Sequence, residues 1–187
     1  YSIVVPNGEF TSELSRLKVG DTLLIDKQNH GFLTLSRFAG GEDLWLLSTG
    51  TGIAPFLSML ADPEVWERFK TIILVHSVRL QEELAYRDWI LALPSHEIFG
   101  PYAHKLRYIP VVTREECPSM LHARLTSLIP DGRLEAAAGR KLDLDNSRIM
   151  LCGNPDMVNE TRRALKSLGF QTSRQASPGQ IAVENYW

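Results

Sequence analysis

The sequence predicts an α/β protein, a doubly wound parallel sheet with helices on both faces, preceded by a shorter β segment. From about residue 41, apolar runs typical of buried strands alternate with amphipathic helical segments. Before that, strand-like runs are separated by turns, and only one short stretch has helical periodicity. The loop SRFAGGED, rich in glycine and charge, separates the two patterns. We therefore expect two domains, residues 1–40 and residues 41–187.

The segment 1–40 begins with the strand-like run YSIVV, the turn PNG and the amphipathic stretch TSELSRL. Leu14 and Leu17 lie on one face of a helical turn in that stretch, and Thr11 or Ser12 can cap it. The runs DTLLI and GFLTL follow as further strands. The segment is thus predicted to be β-structure with one short helix.

The segment 41–187 reads as strand and helix in alternation. The predicted strands are LWLLS, TIILVHS, RYIPVVT and SRIMLC, and the predicted helices are IAPFLSMLA, EELAYRDWILAL, MLHARLTSLI and MVNETRRALKSLG. Helices that connect parallel strands cross over and pack on the faces of the sheet. This order therefore predicts the doubly wound architecture.

Composition excludes several classes of partner. The net charge is −2, from 20 basic and 22 acidic residues, so we expect no nucleic acid and no anionic membrane as partner. No apolar run approaches the ~20 residues of a membrane helix. Cys117 and Cys152 lie far apart without metal-type spacing, so we expect no metal site and favour a reducing cytoplasm as the location.

Residues 48–56, STGTGIAPF, follow the first strand of the second segment and open its first helix. Glycines there let the backbone approach a ligand, and unpaired N–H groups at a helix start favour a pyrophosphate. Pro55 suits the first helical turn. The spacing departs from G-x-G-x-x-G because proline and phenylalanine replace the third glycine, which disfavours an ordinary dehydrogenase. A tight turn without a ligand is the alternative.

Five segments in order resemble the bacterial branch of the ferredoxin–NADP reductase family. They are STGTGIAPFLSML, HSVRLQEELAYRD, PVVTREE, LCGNPDMVNETRRALKSLGF and the terminal VENYW. The resemblance implies an NADP-binding α/β domain preceded by part of an antiparallel FAD-binding β-barrel, with FAD and NADP as cofactors. It also implies a position for each ligand-binding residue.

In this resemblance the first loop holds the NADP pyrophosphate through its backbone, and Thr51 lies on the flavin side. The loop residues are Thr49, Gly50, Thr51, Gly52 and Ile53. Cys152 approaches the nicotinamide, and Gly153 permits close contact beside Asn154 and Pro155. We accordingly expect Cys152 to serve hydride transfer by position, not as a nucleophile, since the cofactors carry that chemistry.

The same resemblance places nucleotide contacts at the ends of the second and third strands. Val78 and Arg79 touch the nucleotide, and the residues that grip the 2′-phosphate are Thr113, Arg114 and Arg124. A guanidinium fork suits a phosphate. An NAD site would instead have an acidic residue directly at the end of the second strand, and HSVR has none. Glu82 and Glu83, a few residues on, are interpreted as acids that suit a helix dipole.

The flavin contacts implied by the resemblance lie at both ends of the chain. The aromatic tail folds back on FAD, with Trp187 at the nicotinamide position, Tyr186 beside it and Glu184 as a weaker candidate. The family grips its flavin with arginine-x-tyrosine-serine, and the spacing aligns Tyr1 with a later strand. Partial contacts would remain from Ile3, Val4, Phe10, Thr11 and Ser12. Either the preceding barrel strands have been removed or the protein has lost strong FAD binding, and the retained tail favours removal.

We thus expect a monomeric FAD-dependent oxidoreductase that transfers hydride between NADPH and FAD, and single electrons to or from ferredoxin or flavodoxin. One alternative is the NAD(P)H-dependent reductase component of an oxygenase system, which has the same fold. Another is a nucleotide-binding module without redox activity.

Overall fold

The computed structural model describes residues 3–5, 7–28, 31–174 and 177–185. Its contacts divide the chain into two compact units, Tyr1–Phe32 and Leu33–Trp187. The division lies a few residues before the domain boundary expected near residue 40. Assignment of 1–40 to an FAD-binding domain and 41–187 to an NADP-binding domain stays a prediction.

The second unit is built on one five-stranded sheet in which all four neighbouring pairs are parallel. The strands are β1 (Asp43–Thr49), β2 (Thr71–Val78), β3 (Leu106–Val112), β4 (Ser147–Gly153) and β5 (Ile181–Asn185), in the order β3-β2-β1-β4-β5. From β1, successive strands are added first on one side (β2, β3) and then on the other side (β4, β5), so the strand order reverses at β1. This confirms the doubly wound parallel sheet.

Within the described ranges, six α-helices connect these strands, and the first unit contains the α-helix α1 (Glu9–Leu14). They are α2 (Ala54–Leu60), α3 (Pro63–Arg68), α4 (Arg87–Ala92), α5 (Leu125–Leu128), α6 (Arg133–Ala138) and α7 (Pro155–Ser167). Among the described residues, no helix combines the length and apolarity that a membrane crossing needs.

Side chains alternate between two buried clusters, one on each face of the sheet. On one face Leu44 and Leu46 of β1 pack with Phe56 of α2 and Trp66 of α3. On the other face Trp45 and Leu47 pack with residues of α5, α6 and α7. Both faces of the central strands are buried, which explains why these strands read as continuous apolar runs.

The first unit differs from its predicted secondary structure. Its described residues form α1 and turns but no strand, although YSIVV and DTLLI were predicted as strands. The predicted strand GFLTL, which runs from this unit into the second, forms no strand either. Val19, Leu24 and Ile25 are exposed instead of packed. A strand needs a neighbouring strand that pairs with its backbone, and no strand pairing occurs among the described residues of this unit.

Three further differences lie in the second unit. The predicted helix MLHARLTSLI is helical only over Leu125–Leu128. The predicted helix EELAYRDWILAL is interrupted, because Tyr86 has a left-handed backbone (φ 61°) and α4 begins only at Arg87. The segment predicted as part of an aromatic tail contains β5, which pairs with β4 from Ile149 to Gly153. Ile181 and Ala182 are buried in the sheet. Pairing with β4 therefore makes this short run a strand.

The segment 33–41, which leads into β1, is fixed by arginines from the sheet unit. Arg68 of α3 donates to the carbonyl oxygens of Leu35 (2.8 Å) and Phe38 (2.6 Å). Arg148 of β4 donates to the carbonyl of Ala39 from Nε (3.1 Å) and Nη2 (2.9 Å). These bonds satisfy carbonyl groups that have no strand partner.

His76 of β2 is fully buried within the sheet. Burial lowers the pKa of its imidazole from 6.5 to about 4, against smaller opposing effects of a bond to Gly50 and the charge of Glu83. The side chain is therefore neutral in the folded protein at physiological pH.

The anchoring role of Arg68 predicts that Arg68→Met lowers the free energy of unfolding by about 2 kcal/mol, because two carbonyl oxygens lose charged donors. Urea denaturation followed by circular dichroism measures this change. Lys70→Met is the control: its ion pair with Glu42 is largely exposed, and we expect a change below about 0.5 kcal/mol. Equal losses in the two variants would contradict the anchoring role.

Burial of neutral His76 predicts a specific pH dependence of stability. Between pH 6.5 and about 4, the unfolded chain binds a proton at this residue that the folded chain does not. Neutral His76 contributes ~3 kcal/mol to the free energy of unfolding; this contribution is complete above pH 6.5 and is lost as pH falls towards 4. The urea midpoint of the wild-type chain should therefore fall as pH is lowered through this range. Most of this pH dependence should disappear in His76→Phe and remain in the control His104→Gln, whose side chain is exposed.

Candidate functional site

The carboxyl ends of the five strands meet at one edge of the sheet because all the pairs are parallel. Strand order reverses at β1, so the loops that follow β1 and β4 leave the sheet towards opposite faces. Open α/β sheets bind ligands in the crevice that forms at this position. The two loops contain residues 50–53 and 154–155, both of which the sequence singled out.

The backbones of these two loops approach so closely that only glycine fits. A Cβ added at Gly52 would lie 2.2 Å from the carbonyl oxygen of Cys152. A Cβ added at Gly153 would lie 2.3 Å from Oγ1 of Thr49 and 2.7 Å from its carbonyl oxygen. Glycine at both positions therefore lets the two loops meet at the bottom of the crevice.

Polar contacts hold the two loops in register. The N–H of Asn154 donates to Oγ1 of Thr49 (2.9 Å), which links the end of β1 to the start of α7. The Asn154 side chain caps α7 by accepting from the N–H groups of Asp156 (2.9 Å) and Met157 (3.3 Å), and Pro155 occupies the first turn. Thr49 and Asn154, both predicted as site residues, thus support each other.

The loops after β2 and β3 are also joined. Thr113 donates to the carbonyl of Val78 from its N–H (3.0 Å) and from Oγ1 (3.1 Å). The N–H of Arg114 donates to the carbonyl of Arg79 (2.9 Å). Both arginines are exposed, and the hydrogen bond between their backbones makes them neighbours at the carboxyl edge.

Sequence reasoning missed the function of Glu83. Its carboxylate accepts from Nε (3.1 Å) and Nη2 (2.7 Å) of Arg79, and from the N–H groups of Arg79 (2.8 Å) and Leu80 (3.3 Å). Burial raises the pKa of Glu83, but these bonds outweigh it and leave the pKa lowered. The charge is thus paired with Arg79. Residues 79–83 are not an α-helix, so the helical rule for residues four apart does not predict this pair.

Glu115 is a second acid that shapes this region. Its carboxylate accepts from the N–H of Gln81, and its carbonyl oxygen is bonded to Nδ1 of His122 (2.8 Å). The loop after β3 is thereby tied to the loop after β2. Arg124, the third predicted phosphate ligand, is exposed at the residue before α5.

Several predicted ligand residues contribute buried side chains. Cys152, Ile53 and Val78 lie in the core, and the Cys152 side chain is fully buried in the cluster with Phe56. Glu184 of β5 pairs in register with Cys152, which places it near the same edge. A contact between the Cys152 side chain and a nicotinamide stays a prediction.

The residues predicted to contact FAD at the start of the chain lie in the first unit. Helix α1 begins after Gly8, so neither Thr11 nor Ser12 caps it. Oγ1 of Thr11 instead accepts from the N–H of Val5 (2.9 Å). Ile3, Val4 and Phe10 are exposed. Tyr186 and Trp187 lie outside the described residues, so their roles stay predictions.

Comparison with known proteins shows the family to which the chain belongs. Residues 46–163 match the family described as the oxidoreductase NAD-binding domain. The chain is 44% identical to a ferredoxin–NADP reductase of Pseudomonas aeruginosa, over 98% of this chain and 72% of the relative. It is 41% identical to ferredoxin–NADP reductase A of Sorangium cellulosum, over 98% of this chain and 66% of the relative.

A solved structure agrees with these relatives. The crystal structure of a ferredoxin NADP+ reductase from Neisseria gonorrhoeae, with bound FAD and NADP, superposes with a TM-score of 0.90 at 40% identity. The match covers 98% of this chain and 72% of that chain. On the strength of the Pseudomonas relative, of which it covers more than two thirds, the chain belongs to the ferredoxin–NADP reductase family.

Proposed function

We propose that the protein is an FAD-dependent oxidoreductase that transfers hydride between NADPH and FAD, and single electrons to or from ferredoxin or flavodoxin. The observation that carries this proposal is the meeting of the glycine crevice and the two arginine-bearing loops at one sheet edge. Family membership supports the same function and does not support the oxygenase component or the non-redox module.

The strand order suggests how NADP lies along the edge. Arg79 and Arg114 follow β2 and β3, the glycine loop follows β1, and Gly153 ends β4. We place the 2′-phosphate at the arginines, the pyrophosphate at the β1 loop and the nicotinamide towards β4. Neighbouring strands are ~4.8 Å apart, so β3 and β4 are separated by about 14 Å, a distance that an extended dinucleotide can span.

The residues present fit the phosphate groups of such a ligand. Gly52 and Gly153 let the two loops pack closely against each other, and N–H groups at the start of the turn Gly50–Ile53 can donate to the pyrophosphate. Arg114 and Arg124 are exposed cations for the 2′-phosphate. Glu83 holds Arg79 through two side-chain bonds, which restricts the orientation of the guanidinium.

The flavin and nicotinamide supply the hydride chemistry when bound, and the chain supplies position and electrostatics. The cationic loops attract the anionic end of the coenzyme, and the backbone crevice fixes its middle. Arg79 pairs with Glu83, so this acid is not free to accept from a ribose hydroxyl as in an NAD site. This pairing supports a preference for NADP over NAD.

The expected partners are ferredoxin or flavodoxin and NADPH. A monomeric state and a cytoplasmic location stay predictions from the sequence. Neither Cys117, which is partly buried, nor Cys152, which is fully buried, forms a disulfide among the described residues.

The proposed activity predicts that the full-length protein, reconstituted with FAD, shows flavin absorbance and reduces ferredoxin or flavodoxin with NADPH. The measurement is stopped-flow absorbance, with NADH as the comparison coenzyme and ferricyanide as a simpler acceptor. A protein that stays colourless after reconstitution and shows no NADPH-dependent reduction of either acceptor would contradict the proposal.

The proposed phosphate site predicts that Arg114→Ala raises the Kd for NADP+ by about tenfold to a hundredfold, because one or more charged hydrogen bonds are lost. The Kd for NAD+ should change by less than about twofold, and isothermal titration calorimetry measures both. Arg133→Ala is the matched control, since this exposed arginine pairs with Asp131 outside the site. An equal loss of both coenzymes in Arg114→Ala would place the phosphate elsewhere.

A further inference from the structure

The buried imidazole of His76 lies next to the coenzyme loop. In the sheet, its Cα pairs in register with that of Ser48, two residues before Gly50. Its Nε2 lies 3.2 Å from the carbonyl oxygen of Gly50. Because a carbonyl oxygen can only accept, Nε2 carries the hydrogen and Nδ1 is the bare nitrogen. Nδ1 is buried and has no hydrogen-bond partner among the described residues.

The bond reaches the loop at a residue whose backbone conformation matters. Gly50 has a left-handed φ of 51° and begins the turn Gly50–Ile53 that leads into α2. Its Cα is open to solvent, and an added Cβ would meet no atom within 4 Å. Packing around the Cα therefore does not restrain this residue, whereas the bond from the rigid sheet does.

We propose that His76 is a positioning residue for the coenzyme, which holds the Gly50 carbonyl so that the N–H groups of the loop face the pyrophosphate. The inference rests on the proposed NADP site and adds a residue to which neither the sequence nor the family resemblance assigns a role. His76 does not touch the ligand in this arrangement, because its ring is fully buried beneath the loop.

The chemistry of the ring suits this role. Burial lowers the pKa of His76 to about 4, so one neutral donor supports the loop across the physiological range. Glu83 is the charged group that acts on the ring, and its effect on the pKa is smaller than that of burial. A neutral donor fixes the carbonyl without tying the loop to the protonation of a nearby acid or base.

Two ligands and two substitutions separate positioning from general damage. NADP+ contains the pyrophosphate, whereas adenosine 2′-monophosphate contains the adenosine and 2′-phosphate but no pyrophosphate. His76→Phe keeps an aromatic ring and removes the donor. His76→Gln retains an amide N–H that can reach the same carbonyl. Calorimetry on the 187-residue chain measures each Kd, and circular dichroism measures each Tm.

We expect His76→Phe to raise the Kd for NADP+ about three- to tenfold, as loss of one hydrogen bond implies, and to leave adenosine 2′-monophosphate binding within about twofold. His76→Gln should stay within about twofold for both ligands. Trp66→Phe is the matched control, because it removes a comparable buried bond, Nε1 to the Leu60 carbonyl at 2.9 Å. It should lower Tm and leave both Kd values unchanged.

The outcomes distinguish the two levels of proposal. Wild-type chain that binds neither ligand would overturn the proposed function and this inference with it. Wild-type binding of both ligands, with NADP+ affinity unchanged in His76→Phe or with both ligands weakened equally, would overturn this inference alone. Nitrogen NMR of the wild-type ring is the check that needs no variant. The expected form is protonated at Nε2, and protonation at Nδ1 alone would also overturn the inference.

Discussion

Strand β1 pairs in parallel with β2 on one side and with β4 on the other, and this double pairing governs the rest of the molecule. Residues Asp43–Ser48 are buried, so the strand cannot shift by one residue without exchanging the side chains of its two faces. The same pairing brings the loops after β1 and β4 together. The crevice that we assign to the coenzyme is thus a direct consequence of strand order.

Close backbone packing at the crevice links stability to binding. Gly52 and Gly153 meet atoms of the opposite loop where no side chain fits, which lets the two loops pack directly on each other. The hydrogen bond from the backbone N–H of Asn154 to the Thr49 hydroxyl holds the two loops in place. The position of the two loops that we assign to the coenzyme therefore depends on these packed residues.

Acidic residues organise the basic side of the site. Glu83 pairs with Arg79, and Glu115 ties its own loop to the N–H of Gln81. A carboxylate near a phosphate is unfavourable unless a cation balances its charge. Arg79 supplies that cation for Glu83, and its hydrogen bonds lower the pKa of the carboxyl group. The arginine loops are hence held by hydrogen bonds as well as by strand pairing.

By itself, the sequence determined the parallel α/β class, the glycine loop and the arginines at strand ends, because apolar periodicity and strand-to-loop position are local properties. Only the tertiary structure decided which of these residues meet. The hydrogen bond from Arg114 to Arg79 and the contact from His76 to Gly50 each join residues distant in sequence. The burial of Cys152 likewise depends on residues from other parts of the chain. The strands predicted in the first unit are absent from its described residues, whereas β5 formed from a run assigned to the tail. The physical reason is that an extended segment becomes a strand only where a neighbour pairs with its backbone.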